Sequence, residues 1–202
     1  MLDPYELTVH TLTLRQLGSA EDLSEINGLA VDDVEAALEK AVVEGTVMAA
    51  RGNNMITPAG REFLDTVYPR TFAALRADTA VTAAMDAFET GVNKQILALT
   101  TDWQTIEIDG DRVPNDHGDQ DYDSKIITKL GRVHEKTYKV LRPLADADPL
   151  VDRFLDRIGD ALVRAEGGET DYVSGVRVDS VHTVWFQMHE HILRLTGRER
   201  PE

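Results

Sequence analysis

The 202-residue chain has no cysteine, which excludes disulfides, thiolate metal sites and thiol nucleophiles. No apolar run approaches the roughly 18 residues a membrane helix needs, so no membrane partner is expected. The opening residues MLDPYELTV lack the basic stretch of a signal peptide, and a cytoplasmic protein is the expectation. Basic residues are scarce: 21 Lys and Arg stand against 36 Asp and Glu, a formal net charge of −15. Phosphate binding is driven by Lys and Arg, so a broad nucleic-acid surface is disfavoured. The chain also lacks a G-x-S-x-G elbow, a P-loop, a G-x-G-x-x-G motif and any internal repeat. No cofactor is indicated. What is present is 42% hydrophobic residues, too many for an acidic disordered chain. The length suits one domain or two small ones.

The pattern predicts a helix over residues 5–17, ended by Gly18. Ser19, with Asp22 three residues on, makes a capping box for a short second helix closed by Gly28. A third helix follows, with Asp32 and Asp33 in its first turn and Val34, Leu38, Ala41 and Val42 on one face. Gly45 stops it. TVMAA then reads as a strand, RGNN as a tight turn and MI as a short returning strand. Thr57-Pro58 opens a fourth helix, Thr as N-cap and Pro at N1. Helix, short helix, helix, β-wing and helix is the winged helix-turn-helix order.

The segments LSEINGLAVDDVEAALEKAVVEGTV and ITPAGREFL also resemble the winged-helix segment of MarR-like and related bacterial regulators. That resemblance covers roughly residues 5–67 and implies a transcriptional regulator. Charge points the other way. Residues 1–70 carry twelve acids and five bases, a net −7. The outward face of the third helix holds Asp32, Glu35, Glu39 and Lys40, where a DNA reader needs Arg, Lys, Asn or Gln. Lys40, Arg51 in the wing and Arg61 at a helix start are the candidate DNA contacts, and so few give weak or conditional binding. A winged helix used for protein contacts or dimerisation is the competing reading.

Pro69 punctuates the chain, and helical periodicity then resumes. Met85, Phe88, Val92, Ile96, Leu99 and Trp103 share one face of a helix near 80–103. Further helices are expected near 122–145, from Pro149, and over about 177–196. The fold expected is mainly α: a winged helix-turn-helix domain over 1–70, then an antiparallel four-helix bundle over 71–202. A small β-hairpin insertion is expected at Ile106–Val113, turning at Asp109-Gly110 in type I′ geometry. Residues 102–123 contain eight acids and one base, Arg112. This stretch fails the EF-hand template, because Gly118 would require an acid where Val113 stands.

Helical geometry at about 100° per residue places His182, Phe186 and His189 in the apolar arc of the last helix, with His191 opposite, facing solvent. His134 falls in the apolar arc of the second bundle helix. Buried imidazoles need partners, and Asp102, Asn93, Tyr138 and Asp179 are the candidates. Two readings stand: satisfied structural histidines, or a polar ligand pocket between helices walled by Trp103 and Trp185. A metal site is disfavoured, since His182 and His189 lie about 10.5 Å apart along the axis, unlike an i,i+4 pair.

TDWQ (101–104), PNDH (114–117), DYD (121–123) and VHTVWFQMHEHIL (181–193) resemble an uncharacterised actinobacterial family. In some members a winged helix precedes this helical domain. In others a similar domain accompanies the mobile phosphohistidine domain of phosphoenolpyruvate-utilising enzymes. The resemblance implies that Asp102, Trp103, Gln104, Asn115, Asp116, His117, His134, His182, Trp185 and His189 gather at one ligand-binding site. The reading is therefore a transcriptional-regulator-like homodimer whose helical domain senses a small ligand or mediates dimerisation. The alternatives are a protein-interaction module docked on an enzyme such as a phosphoenolpyruvate-utilising one, and an enzyme using the histidines and Asp102 for acid–base work.

Overall fold

The computed structural model describes residues 1–108 and 110–200. It is mainly helical, with two small antiparallel sheets. Among the described residues no helix is long and apolar enough to cross a membrane. The chain forms two compact units, Met1–Asp78 with His189–Glu202, and Thr79–Met188. This division differs from a boundary at residue 70: the end of the last helix joins the N-terminal residues, so that helix contributes to both units.

In the first unit, α1 spans Pro4–Arg15. Asp3 caps it: its side chain accepts from Glu6 N–H at 2.8 Å, and Glu6 accepts from Asp3 N–H at 3.1 Å. The helix stops at Gln16, whose φ is 71°, before the expected Gly18. Leu17 and Gly18 instead form a short strand, β1. Ser19 and Asp22 make the expected capping box for α2, Ala20–Asn27, and Gly28 ends it at φ 78°. Next come α3 (Val31–Val43), β2 (Val47–Ala50) and β3 (Asn53–Ile56). The sheet order is β1-β3-β2, all antiparallel, with Val47 opposite Ile56 and Met48 opposite Met55. The turn is tighter than RGNN, because Arg51 and Gly52 both have positive φ and Asn53 already pairs.

Thr57 caps α4, Pro58–Thr71, which carries Pro69 inside it rather than ending there. Pro69 sits in the last turn, and α5, Ala73–Ala77, follows at once. Leu12, Leu23, Val34 and Leu64 are fully buried in this unit. Each such side chain contributes roughly 1.5–3 kcal/mol of transfer free energy.

The second unit opens with α6, Thr79–Ala87, which passes through a π-helical segment, Phe88–Asn93, into α7, Lys94–Gln104. The expected single helix near 80–103 is thus widened in its middle. The wide turn accompanies a specific contact: Trp185 Nε1–H donates to Asn93 Oδ1 at 3.1 Å, and Phe88 stacks on Trp185 at 5.4 Å. Strands β4 (Thr105–Ile108) and β5 (Asp111–Pro114) form the hairpin, pairing Ile106 with Val113. Asp109, one half of the expected type I′ turn, lies outside the described residues.

Helix α8 spans Gln120–Val140, capped by Asp119. It ends earlier than 145 because Pro143, in the first turn of α9 (Arg142–Ala147), has no N–H to continue the α8 ladder. Helices α10 (Leu150–Glu166), α11 (Asp171–Ser174) and α12 (Val181–Thr196) complete the chain.

Three expectations for α12 are corrected. His191 is fully buried rather than solvent-facing, Phe186 is exposed, and His182 is only half-buried. A single apolar arc assumes burial on one side, but Met188, His189, His191, Ile192 and Leu193 are all buried. This stretch is enclosed nearly all round, so angle from an apolar stripe no longer decides burial.

Candidate functional site

The second unit brings together three of the ten expected site residues, Trp103, Asn115 and His117, and of these His117 lines a cavity. Trp103, buried, sits in the last turn of α7, where its carbonyl accepts from Asn115 Nδ2 at 3.0 Å. Asn115 follows β5, and its backbone N–H donates to Gln104 O at 2.9 Å. The second amide proton of Asn115 goes to Asp123 Oδ1 at 2.9 Å, while its Oδ1 accepts from His117 N–H at 3.1 Å. One asparagine therefore ties the end of α7, the hairpin and the start of α8 together.

His117 adopts φ 59°, in the left-handed region that a non-glycine residue enters at a cost. Two interactions hold it there. Its ring lies 4.5 Å from the Trp103 ring, and its Nδ1 is 2.9 Å from Asp123 Oδ2. Asp123 is 6% exposed and acts only as an acceptor when ionised, so Nδ1–H donates to it. That fixes the tautomer of a neutral imidazole and leaves Nε2 as the acceptor. The His117 side chain remains 35% exposed, so a ligand can reach it.

The adjoining cavity of about 420 Å³ is bounded by His117, Asp123, Ser124 and Thr128 near the start of α8, and by Glu166 and Thr170 near the end of α10. Ile127 and Ala165 provide apolar wall. A volume of this size suits a small molecule. A carboxylate-oriented imidazole can accept a hydrogen bond from a hydroxyl or amine, or take up a proton.

The remaining expected residues are placed as follows. Asp102 lies close in sequence, but its carboxylate meets Arg112 at 3.1 Å. Its carbonyl accepts from Tyr122 O–H at 3.0 Å. Burial and the Asp102 charge raise the Tyr122 pKa. The Gln104 side chain is exposed, and Asp116 turns back to accept from Gly118 N–H at 3.0 Å. His134 is structural: its Nε2–H donates to Leu155 O at 2.8 Å, joining α8 to α10. Trp185 is a core residue, committed to Asn93 and Phe88 rather than to the cavity wall. His182 does not line the cavity, and burial alone lowers its pKa. His189 belongs to the first unit, where it accepts from Arg200 at 3.2 Å.

The proposed histidine partners are also otherwise engaged. Tyr138 O–H donates to Asp156, and Asp179 pairs with Arg157. Among the described residues no group of three or more His, Asp or Glu side chains is placed to hold a metal ion.

Sequence reasoning did not assign Asp123 to the site. Its signal was present in the DYD motif, three residues beyond PNDH. It also missed a buried chain in the first unit. Tyr68 Oη lies 2.8 Å from His10 Nδ1, and His10 Nε2 lies 2.8 Å from His191 Nδ1. Both imidazoles are fully buried. Burial, then the neighbouring His191 and Arg194, hold the His10 pKa well below its ordinary value.

The expected DNA contacts all lie in the first unit. Lys40 is committed locally, 4.4 Å over the Tyr5 ring and 3.8 Å from Glu44. Arg51 and Arg61 are exposed, as are Asp32, Glu35 and Glu39 on α3. No family model, curated protein or solved structure matches the chain.

Proposed function

We propose that this is a regulator-like protein with a winged-helix unit and a helical unit that binds a small molecule at His117. The observation that carries the reading is the His117–Asp123 pair lining a cavity of about 420 Å³. The element order α1-β1-α2-α3-β2-β3-α4 and the sheet order β1-β3-β2 support a winged helix. The long helical stretches 79–104, 120–140 and 150–166, with the first turns of α12, support a four-helix arrangement carrying a hairpin insertion. The described cavity residues include hydroxyls and carboxylates but no Lys or Arg. That chemistry favours a neutral or cationic hydrogen-bonding ligand over an anion.

A thermal-shift series with nucleosides, polyols, amines and organic acids tests this. At a concentration about a hundredfold above the dissociation constant, a ligand adds roughly 2.7 kcal/mol of stability. The shift is expected from the neutral or amine sets and is lost in His117→Ala. No shift from any set would oppose the reading.

DNA binding by the winged-helix unit is weak or conditional in this account. With two phosphate contacts, from the exposed Arg51 and Arg61, the logarithm of affinity should fall against the logarithm of salt with a slope of about −2. Fluorescence anisotropy on the protein's own upstream DNA measures that slope. Absence of binding at low salt would remove DNA and leave the acidic α3 face as a protein-contact surface, the module-like alternative.

A further inference from the structure

We infer that the first unit carries a docking groove for a cationic amphipathic protein segment, a proposal independent of the ligand cavity. The groove, about 690 Å³, runs between the start of α2, the outer face of α3 and the β2–β3 hairpin. Its apolar surface comes from Ala20, Leu38, Val42, Val43 and Ala49. Val43 is 88% exposed and Val42 41%, an unusual placement for adjacent branched apolar side chains on one helix.

Charge selects the occupant. Glu21, Glu35 and Glu39 border the apolar strip, and no Lys or Arg belongs to its described lining. Two bases adjoin the lining in sequence: Lys40 is held over Tyr5 and beside Glu44, and exposed Arg51 precedes Gly52 in the hairpin turn, so three carboxylates still outnumber the one outward base. A nucleic-acid backbone would meet these three carboxylates directly. A second copy would bring the same carboxylates against themselves in a two-fold contact, from a chain of net charge −15. A segment with apolar side chains flanked by Lys or Arg satisfies both the strip and its acidic border, and long-range attraction would steer it there.

The test uses the full chain and two synthetic helical peptides of about five turns, one with a leucine face and lysines, the other with the lysines replaced by glutamates. Fluorescence anisotropy should give micromolar binding of the lysine peptide and none of the glutamate peptide. The double variant Glu35→Lys/Glu39→Lys should weaken the lysine peptide by about tenfold or more, and Val43→Ser by several-fold. A control double variant, Glu62→Lys/Asp65→Lys, makes the same charge change on α4, outside the groove, and should weaken it less than about threefold. All these positions are exposed, so circular dichroism and melting temperature should be unchanged. Equal weakening by the control, equal binding of the glutamate peptide, or no binding at all would overturn the proposal. So would sedimentation showing that Glu35→Lys/Glu39→Lys alters self-association, since the groove would then belong to a second copy.

Discussion

Replacing Gly60 with alanine is expected to destabilise the first unit by about 2–4 kcal/mol, although helix propensity alone predicts a gain of up to about 1 kcal/mol. Gly60 sits in the first turn of α4, where its N–H donates to the capping Thr57 hydroxyl at 3.1 Å. A Cβ there would lie 2.2 Å from the Thr46 carbonyl oxygen and 2.8 Å from Ile56 Cγ1. The carbonyl is backbone, and it already accepts from Thr57 N–H at 3.1 Å, so neither side can yield without loosening the cap and the end of β3 together. Gly131, inside α8, is the control: nothing lies within 4 Å of its added Cβ. Gly131→Ala should stabilise by about 0.5–1 kcal/mol. Urea unfolding followed by far-ultraviolet circular dichroism reads both.

The second large effect is expected at His10. His10→Leu leaves the Tyr68 hydroxyl and His191 Nδ1 facing an apolar group inside the core, at roughly 1–3 kcal/mol for each lost partner. A total of about 2–6 kcal/mol follows. His10→Leu/His191→Leu should cost less than the sum of the single changes, because one hydrogen bond then loses both ends.

The same residue gives a pH signature. Its folded pKa is depressed, so the unfolded chain binds a proton first as pH falls. The stabilisation is complete above the unfolded value of about 6.5 and is lost as pH falls from there toward the folded value. Within that window one extra proton on the unfolded state lowers stability by about 1.4 kcal/mol per pH unit. The half-buried His182, also depressed, acts with the same sign. His10→Leu should remove one proton's share of the slope and leave that of His182.

These two sites mark what the sequence could and could not reveal. Capping chemistry is local, so Ser19 with Asp22, Gly28, and Thr57-Pro58 fixed three helix ends from neighbouring residues alone. The two hairpins followed from alternation and turn residues in the same way. His191 was misplaced because its burial depends on Tyr68 and His10, which are distant in sequence. The π-helical turn at Phe88–Asn93 likewise accompanies a contact with Trp185, 92 residues from Asn93.

The candidate site divides along the same line. Trp103, Asn115 and His117 were legible because the hairpin returns the chain to the end of α7. His134, Trp185 and His189 carried the same polar-in-apolar signature, but their partners proved to be a carbonyl, an asparagine and an arginine of the scaffold. An inward polar residue signals a required partner; which partner it meets is set by tertiary packing.

The most direct test of the account is a fragment screen read on backbone amide spectra of the wild-type protein and His117→Ala. The account predicts that neutral or amine-bearing fragments shift the amides of His117, Ser124, Thr128 and Thr170 together, and that these shifts vanish in His117→Ala. Fragments that leave those four amides unmoved, or that bind His117→Ala as well as wild type, would contradict it.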